Sequence, residues 1–256
     1  MDVTQQQLWD VGAARSYDTP GTGMFAPDVL GPTVERLAEL AAGKAALEFA
    51  IGTGRVGIPL AGRGVPVTGI ELSEAMVARL REKADETALP VVIGDMATTV
   101  VPGRFGLVYL VFNTISNLRT QDEQVECFRN AARHLGPGGR FVVELWVPEL
   151  RRLPPGQSAT VWRSESGYVG MDVYDVLEQR AVSHHFHFDA EEAHRTGRTD
   201  AVRLGLSPHR YIWPSELDLM GRLGGFELES RHADWSGAPF TADSRSHVSV
   251  YRLPPG

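Results

Sequence analysis

The sequence predicts an α/β fold: a doubly wound sheet of seven strands with an antiparallel β insertion after the fifth. Three observations carry that prediction. Five short, nearly apolar runs lie between Ala45 and Val147, separated by segments of helical pattern. Runs that are apolar on both alternating faces suit strands buried on both sides, as in parallel sheets. Beyond Pro148 the helical period stops. Val, Tyr, Phe and His then crowd Trp162–Asp189 and Val202–Trp213, the composition of antiparallel strands. Finally, Phe226–Arg231 and His247–Leu253 supply two closing strands.

Each element has a local reason. Ala45–Ile51 is the first strand and ends in glycines, which open a helix over Gly54–Ala61. Val65–Glu71 is the second strand. Ser73 then caps a helix over Ser73–Ala84, with Glu74 in its first turn. Pro90–Gly94 and Phe105–Phe112 are the third and fourth strands. Asp122 caps a helix to Leu135, which Gly136-Pro137-Gly138-Gly139 stops. Gly139–Val147 is the fifth strand, and Leu153-Pro154-Pro155-Gly156 is a short rigid connector. Pro214 starts a further helix, with Ser215 as its cap, and Gly224-Gly225 ends it. The expected division is residues 1–31 as an N-terminal lid, 32–150 as the core, 151–213 as the insertion, and 214–256 as the closing helix and strands.

Composition sets limits on function. The 256 residues suffice for one large domain with an insertion. With 25 Lys and Arg against 32 Asp and Glu, the net charge is -7, which argues against nucleic acid as a partner. The single cysteine, Cys127, allows no intramolecular disulfide and no Cys-rich metal site. Its amphipathic helix makes it a core residue. The first seven residues lack a basic n-region and an apolar h-region, and no apolar run reaches the ~20 residues of a membrane helix. A cytoplasmic protein with no membrane contact is expected. His185, His187 and Asp189 alternate along one strand face. They read as the wet face of a sheet rather than a metal site.

The chemistry concentrates at Glu48-Phe49-Ala50-Ile51-Gly52-Thr53-Gly54. Glycines between strand and helix let backbone N–H groups approach a ligand closely. Gly52, Gly54 and Gly57 also fit a dinucleotide fingerprint, so a nicotinamide-dependent oxidoreductase is one reading. Glu48 inside the first strand points elsewhere. Glu71 ends the second strand, where a carboxylate accepts two ribose hydroxyls. Gly94-Asp95-Met96 ends the third, placing a carboxylate and a thioether around an adenine. These features suit a nucleoside without a pyrophosphate.

This set, with Leu135-Gly136-Pro137-Gly138-Gly139, resembles the class I S-adenosylmethionine-dependent methyltransferases over residues 30–150. Ala50 departs from it, because the family often has glycine there. The resemblance implies a Rossmann-like sheet and S-adenosyl-L-methionine as cofactor, with S-adenosyl-L-homocysteine as product. It implies a cofactor set of Tyr17, Glu48, Ala50, Gly52, Thr53, Gly54, Glu71, Leu72, Asp95, Met96, Phe112 and Asn113. Within it, Glu71 takes the ribose, Asp95 the adenine amino group and Met96 the ring. Glu48 orients the glycine loop or the methionine ammonium.

On the acceptor side, Phe112–Leu118 and Phe141–Trp146 look like segments of glycine N-methyltransferases and aminosugar N,N-dimethyltransferases. Some of those enzymes carry His where this chain has Asn117, so a His base does not transfer. Asn113 binds cofactor or acceptor, or satisfies its own loop. Glu144 faces the pocket as a base or amine ligand, or lies exposed at a strand end. Tyr17-Asp18 matches the lid tyrosine of related small-molecule enzymes. Tyr17, Asn117 and Glu144 are therefore the catalytic candidates, and Trp146, Arg210 and Tyr211 the acceptor candidates, with Arg210 suited to a carboxylate. The expected activity is in-line methyl transfer to N or O of a small molecule. The insertion serves as an acceptor wall or a homodimer surface. A non-catalytic cofactor-binding protein is the third reading.

Overall fold

The apolar runs form the middle of a seven-stranded sheet in the computed structural model, which describes residues 4–197 and 202–254. Chain order begins with three helices: α1 (Gln5–Leu8), α2 (Val11–Tyr17) and α3 (Pro27–Ala41). Then follow β1 (Ala46–Phe49), α4 (Gly57–Gly62), β2 (Val67–Glu71), α5 (Glu74–Arg81), β3 (Val91–Ile93) and β4 (Phe105–Leu110). A 3-10 turn, Thr114–Asn117, leads to α6 (Gln121–His134) and β5 (Leu135–Trp146). The insertion holds β6 (Ala159–Glu165), β7 (Tyr168–Asp175), β8 (Arg180–Phe188), α7 (Ala190–Thr196) and β9 (Val202–Arg210). Last come α8 (Pro214–Leu223), β10 (Glu227–His232) and β11 (Ser246–Arg252).

The main sheet has the order β10-β11-β5-β4-β1-β2-β3, and β6 to β9 form a separate antiparallel sheet. Strands β1 to β5 pair in parallel, while β11 runs antiparallel between β5 and β10. Strand alternation splits the core in two. Leu47, Phe49, Val108, Leu110, Phe141 and Val143 face α6 and α8. Ala46, Leu107, Tyr109 and Val142 face α3, α4 and α5. The sheet is thus covered on both sides. After β3 the chain crosses back to β4 on the far side of β1, which opens a crevice beyond the strand carboxyl ends.

Local corrections follow from partners the sequence does not display. Helix α3 was not anticipated and runs unbroken through residue 31, with Pro27 at its start and Pro32 inside it. The cap of α6 is Thr120, not Asp122. Its hydroxyl accepts from Glu123 N, and Glu123 returns the bond to complete a capping box. Trp213, not Ser215, occupies the cap of α8, without a side-chain bond. Strand β3 is an exposed edge rather than a buried strand. The insertion also holds a helix, α7, capped by Asp189. Cys127 is fully buried as expected, and burial pushes its thiol pKa up.

Candidate functional site

The crevice lies under α1 and α2 at the carboxyl ends of β1, β2 and β3. It is lined by Tyr17, Ala50, Gly52, Glu71, Leu72, Asp95, Met96 and Asn117 from the expected set. Gln5, Trp9, Met76, Gly94, Thr114 and Leu118 complete it. About 670 Å³ of space, open solvent included, lies among these residues.

The loop after β1 turns through left-handed backbone at Ala50 (φ 52°), Gly52 (φ 59°) and Gly54 (φ 82°). Only glycine takes such angles freely, so Ala50 holds a strained position. Gly57 has a different reason. A Cβ there would lie 2.7 Å from Glu48 Oε2, inside contact distance. Glycine lets α4 settle on β1.

The carboxylates separate by environment. Glu71 Oε2 accepts from Gly52 N at 2.8 Å and Oε1 from Ser73 N at 2.8 Å, so it ties the glycine loop to the start of α5. Burial raises its pKa, while backbone N–H groups act against the shift. Asp95 Oδ1 accepts from Ala97 N at 2.7 Å and caps the turn after β3 while still lining the crevice. Glu48 does not line the crevice. It faces α4, is 2% exposed and accepts from Tyr109 Oη at 2.9 Å. Burial pushes it up to about 8, so it is largely neutral at pH 7 and offers no counter-charge to an ammonium. Its place is behind the loop, beside Gly57.

The N-terminal helices are fastened over the crevice by polar contacts. Gln5 Nε2 donates to Asn117 O at 2.5 Å, and Ser73 Oγ donates to Trp9 O at 2.5 Å. Asp18 accepts from Thr53 Oγ1 at 2.6 Å and from Lys83 Nζ at 2.7 Å. Burial disfavours the Asp18 charge, but bonds from Lys83 and Thr53 outweigh it and lower the pKa. Tyr17 packs edge-on between Trp9 at 5.7 Å and Phe25 at 6.0 Å. Burial raises the phenol pKa, against the pull of Arg55, so Tyr17 stays protonated. Thr53 is fully buried and turned to Asp18, away from the crevice.

Several acceptor candidates have other engagements. Glu144 Oε2 accepts from Phe112 N at 2.7 Å, and Asn113 Oδ1 accepts from Trp146 N at 2.7 Å. Phe112 and Asn113 are both left-handed (φ 53° and 64°), so these bonds hold a costly turn. Neither Glu144 nor Asn113 lines the crevice, and Phe112 lies outside it beneath Arg55. Gly54 supports the loop from behind, close to Ile58. Arg210 is not free for a carboxylate. Its Nη1 donates to Gln124 Oε1 and its Nη2 to Glu216 Oε1, both at 2.7 Å, and it is 6% exposed. Tyr211 and Trp146 pack with Tyr174 and Trp213 under the insertion. His185 bonds the Tyr168 hydroxyl at 2.8 Å, and among the described residues no three His, Cys, Asp or Glu side chains form a metal-holding group.

The crevice fits an adenosyl sulfonium compound. Glu71 keeps lone pairs for hydroxyl donors, Asp95 Oδ2 carries no other bond among those described, and Met76, Leu72 and Met96 offer flat apolar cover. Gln5 and Trp9 fall in the expected lid segment but were not singled out as site residues, because α1 and α2 carry no motif that fixes which side chains turn inward. Met76 had one: it follows the Ser73 cap by three residues, one turn into α5.

Known proteins agree with this geometry. A family described as a methyltransferase domain matches residues 46–139. The CcbJ methyltransferase from Streptomyces caelestis has a similar structure, with TM-score 0.82 and 35% identity over 99% of this chain and 100% of that one. The cypemycin N-terminal methyltransferase of a Streptomyces species is 25% identical over 97% of this chain and 98% of its own. The dTDP-3-amino-3,4,6-trideoxy-alpha-D-glucopyranose N,N-dimethyltransferase of Streptomyces venezuelae is 31% identical over 47% of this chain and 50% of its own. Nothing among these relatives supports the nicotinamide reading. On the full-length likeness and the crevice together, the chain belongs to the class I S-adenosylmethionine-dependent methyltransferases.

Proposed function

We propose that the chain methylates an amine nitrogen of a small-molecule acceptor. One observation carries this: no side chain lining the crevice is a free base. The titratable groups there are Tyr17, Glu71 and Asp95. Tyr17 is held protonated, and the lone pairs that Glu71 and Asp95 keep beyond their bonds to Gly52 N, Ser73 N and Ala97 N are the ones this reading gives to the ribose hydroxyls and the adenine amino group. Glu144, the remaining candidate base, is bonded to Phe112 N. An alcohol needs a base during attack, whereas a neutral amine attacks unaided and gives its proton to water afterwards. The name of the aminosugar N,N-dimethyltransferase specifies nitrogen, and that of the cypemycin enzyme the amino terminus, which supports the reading.

When bound, S-adenosylmethionine supplies a methyl group activated by a sulfonium. In our reading Glu71 takes the ribose hydroxyls, Asp95 the adenine amino group, and Met96, Leu72 and Met76 the ring faces. The Ala50–Gly52 backbone meets the methionine part, and Glu144 and Asn113 hold the Phe112–Asn113 turn in shape. Tyr17 and Asn117 orient the amine. The segment to Asp18 acts as a lid that excludes water and fixes the line of attack.

Matched amine and phenol acceptors, with S-adenosylhomocysteine release as readout, test the proposal. Turnover of amines is expected, and methylation of phenols alone would sink it. The insertion is read as an acceptor wall, because the end of β9 packs on the Thr114–Asn117 turn. Its other face exposes Val202, Leu204 and Leu206 in one stripe, which suits a homodimer. Sedimentation of Leu204→Asp at the same mass as the parent protein would count against that.

A further inference from the structure

A buried charge without a partner is costly, so folded proteins keep one where something else completes it. Arg119, a half-buried residue, carries two such donor nitrogens. It directly follows Leu118, which lines the crevice, and precedes Thr120, the cap of α6. Its Nε and Nη2 are closed to water, and neither has a hydrogen-bond partner among the described residues. These two N–H groups lie along one edge of the guanidinium. That edge takes a planar oxyanion through two parallel hydrogen bonds. The obvious local carboxylate, Glu123, spends Oε2 on the backbone N–H groups of Arg119 and Thr120 instead. Arg210 makes the contrast plain, since Gln124 and Glu216 satisfy it.

His209 lies within electrostatic reach of Arg119, and one amide links the residues next to them. Gln124 Nε2 donates to Leu118 O at 2.8 Å and to Arg210 O at 3.3 Å. One amide thus joins the residue before Arg119 to the residue after His209. His209 Nδ1 is also buried without a partner. Burial, with smaller pushes from His185 and Arg119 against the pull of Asp172, lowers its pKa to about 4. It is therefore a neutral ring at pH 7. Three partnerless nitrogens thus sit on two elements that the Gln124 amide joins, with His209 within electrostatic reach of Arg119.

We infer that Arg119 and His209 form an anion subsite for the methyl acceptor. The Nε–Nη2 edge of Arg119 grips an oxyanion, a carboxylate or a phosphate, and His209 Nδ1–H gives a third contact. This rests on the proposed acceptor site, to which Asn117 and Leu118 connect it. Gln5 bonds Asn117 O two residues away, so the N-terminal cover is tied to the same loop. The charge expected to read an acceptor carboxylate thus moves from Arg210, which is paired, to Arg119, which is not.

The test uses full-length protein saturated with S-adenosylhomocysteine. Acetate and inorganic phosphate are titrated separately, each against chloride at matched ionic strength, and read by thermal melting. Wild type should gain stability with at least one of the two. A response to acetate alone assigns a carboxylate, and a response to phosphate alone assigns a phosphate. Arg119→Gln should lose the response, Arg119→Lys should weaken anion binding about tenfold by losing the two-pronged edge, and Arg129→Gln on the surface of α6 should respond like wild type. Calorimetric S-adenosylhomocysteine affinity should stay constant across all four proteins. No response in wild type, or an equal response in Arg119→Gln, overturns the subsite. If Arg119→Gln also loses cofactor affinity, Arg119→Lys decides: a full wild-type response with cofactor bound overturns the subsite, and a weakened one sustains it. Wild type that binds anion but no S-adenosylhomocysteine refutes the cofactor site and leaves the anion subsite standing.

Discussion

Removing the Asp18 carboxylate should open the lid while leaving the core intact. Asp18→Ala deletes the bond from the buried Thr53 hydroxyl at 2.6 Å and the pair with Lys83 at 2.7 Å. A charged hydrogen bond to a buried donor contributes about 1.5 kcal/mol. The Lys83 pair is partly exposed, with side-chain exposures of 36% for Lys83 and 14% for Asp18, and contributes about 0.5 kcal/mol. The closed arrangement therefore loses about 2 kcal/mol, or about 30-fold in its ratio to the open one. Tyr17 and Trp9 line the crevice only when the segment is closed, so the S-adenosylhomocysteine Kd by calorimetry should rise by up to about 30-fold. The bonds from Gln5 and Ser73 persist, which makes this an upper bound. Opening is local, so the global Tm should fall little. Lys83→Met should weaken binding only a few-fold. An unchanged Kd in Asp18→Ala, with the whole loss appearing in Tm, would show that the segment belongs to the cooperative core and would refute the lid.

Other expectations can be checked alongside. Glu71→Gln presents an NH2 group to one of two backbone donors, Gly52 N or Ser73 N, and should cost about 1–3 kcal/mol in urea unfolding; unchanged stability would show the two bonds to be idle. Ala50→Gly relieves left-handed strain of about 1–2 kcal/mol but frees the unfolded chain by about 0.5–1 kcal/mol. It should be neutral to mildly stabilising, and a clear loss in the urea midpoint contradicts the strain argument. His247 is fully buried, and burial first, then Arg231, lowers its pKa to about 3. Its unfolded pKa is near 6.5, so the unfolded chain binds the extra proton, and stability falls as pH drops from about 6.5 towards 3. His247→Gln should flatten the acid slope by up to about 1.4 kcal/mol per pH unit; equal slopes would place the titration elsewhere.

How much of this was legible in the sequence depends on what each residue type reveals by itself. The glycine loop, Glu71 and Asp95 were readable because strand ends and turn residues carry their geometry locally. The doubly wound, seven-stranded sheet followed from apolar runs alternating with helices and from the two closing runs, whereas its strand order did not. Arg210 and Arg119 show the opposite case. Both are single arginines near apolar segments, and only the fold decides that Glu216 neutralises one while the other is left alone. Glu144 and Asn113 looked like pocket groups because they lie near the switch point. The left-handed Phe112–Asn113 turn, which claims both, has no sequence mark without glycine. Helix α3 was overlooked because Pro27, Gly31 and Pro32 mask an apolar stripe of Val34, Leu37 and Leu40. The Thr120 cap was missed for a simpler reason: Asp122 is an equally good cap by type, and only the returning Glu123 bond separates them.

The position of β11 bears on how the chain is born. Strand β5 pairs along its whole apolar length with Ser246–Arg252, so one side of it stays bare while the intervening chain is synthesised. A bare strand edge invites wrong partners. The chain between them is dominated by β6 to β9, whose ladder bonds lie entirely within their own sheet. That sheet can form early and draw the two ends of a long loop together, which lowers the entropy of the late closure. In this picture the insertion is also a folding spacer, which brings the partner of β5 within reach of the main sheet.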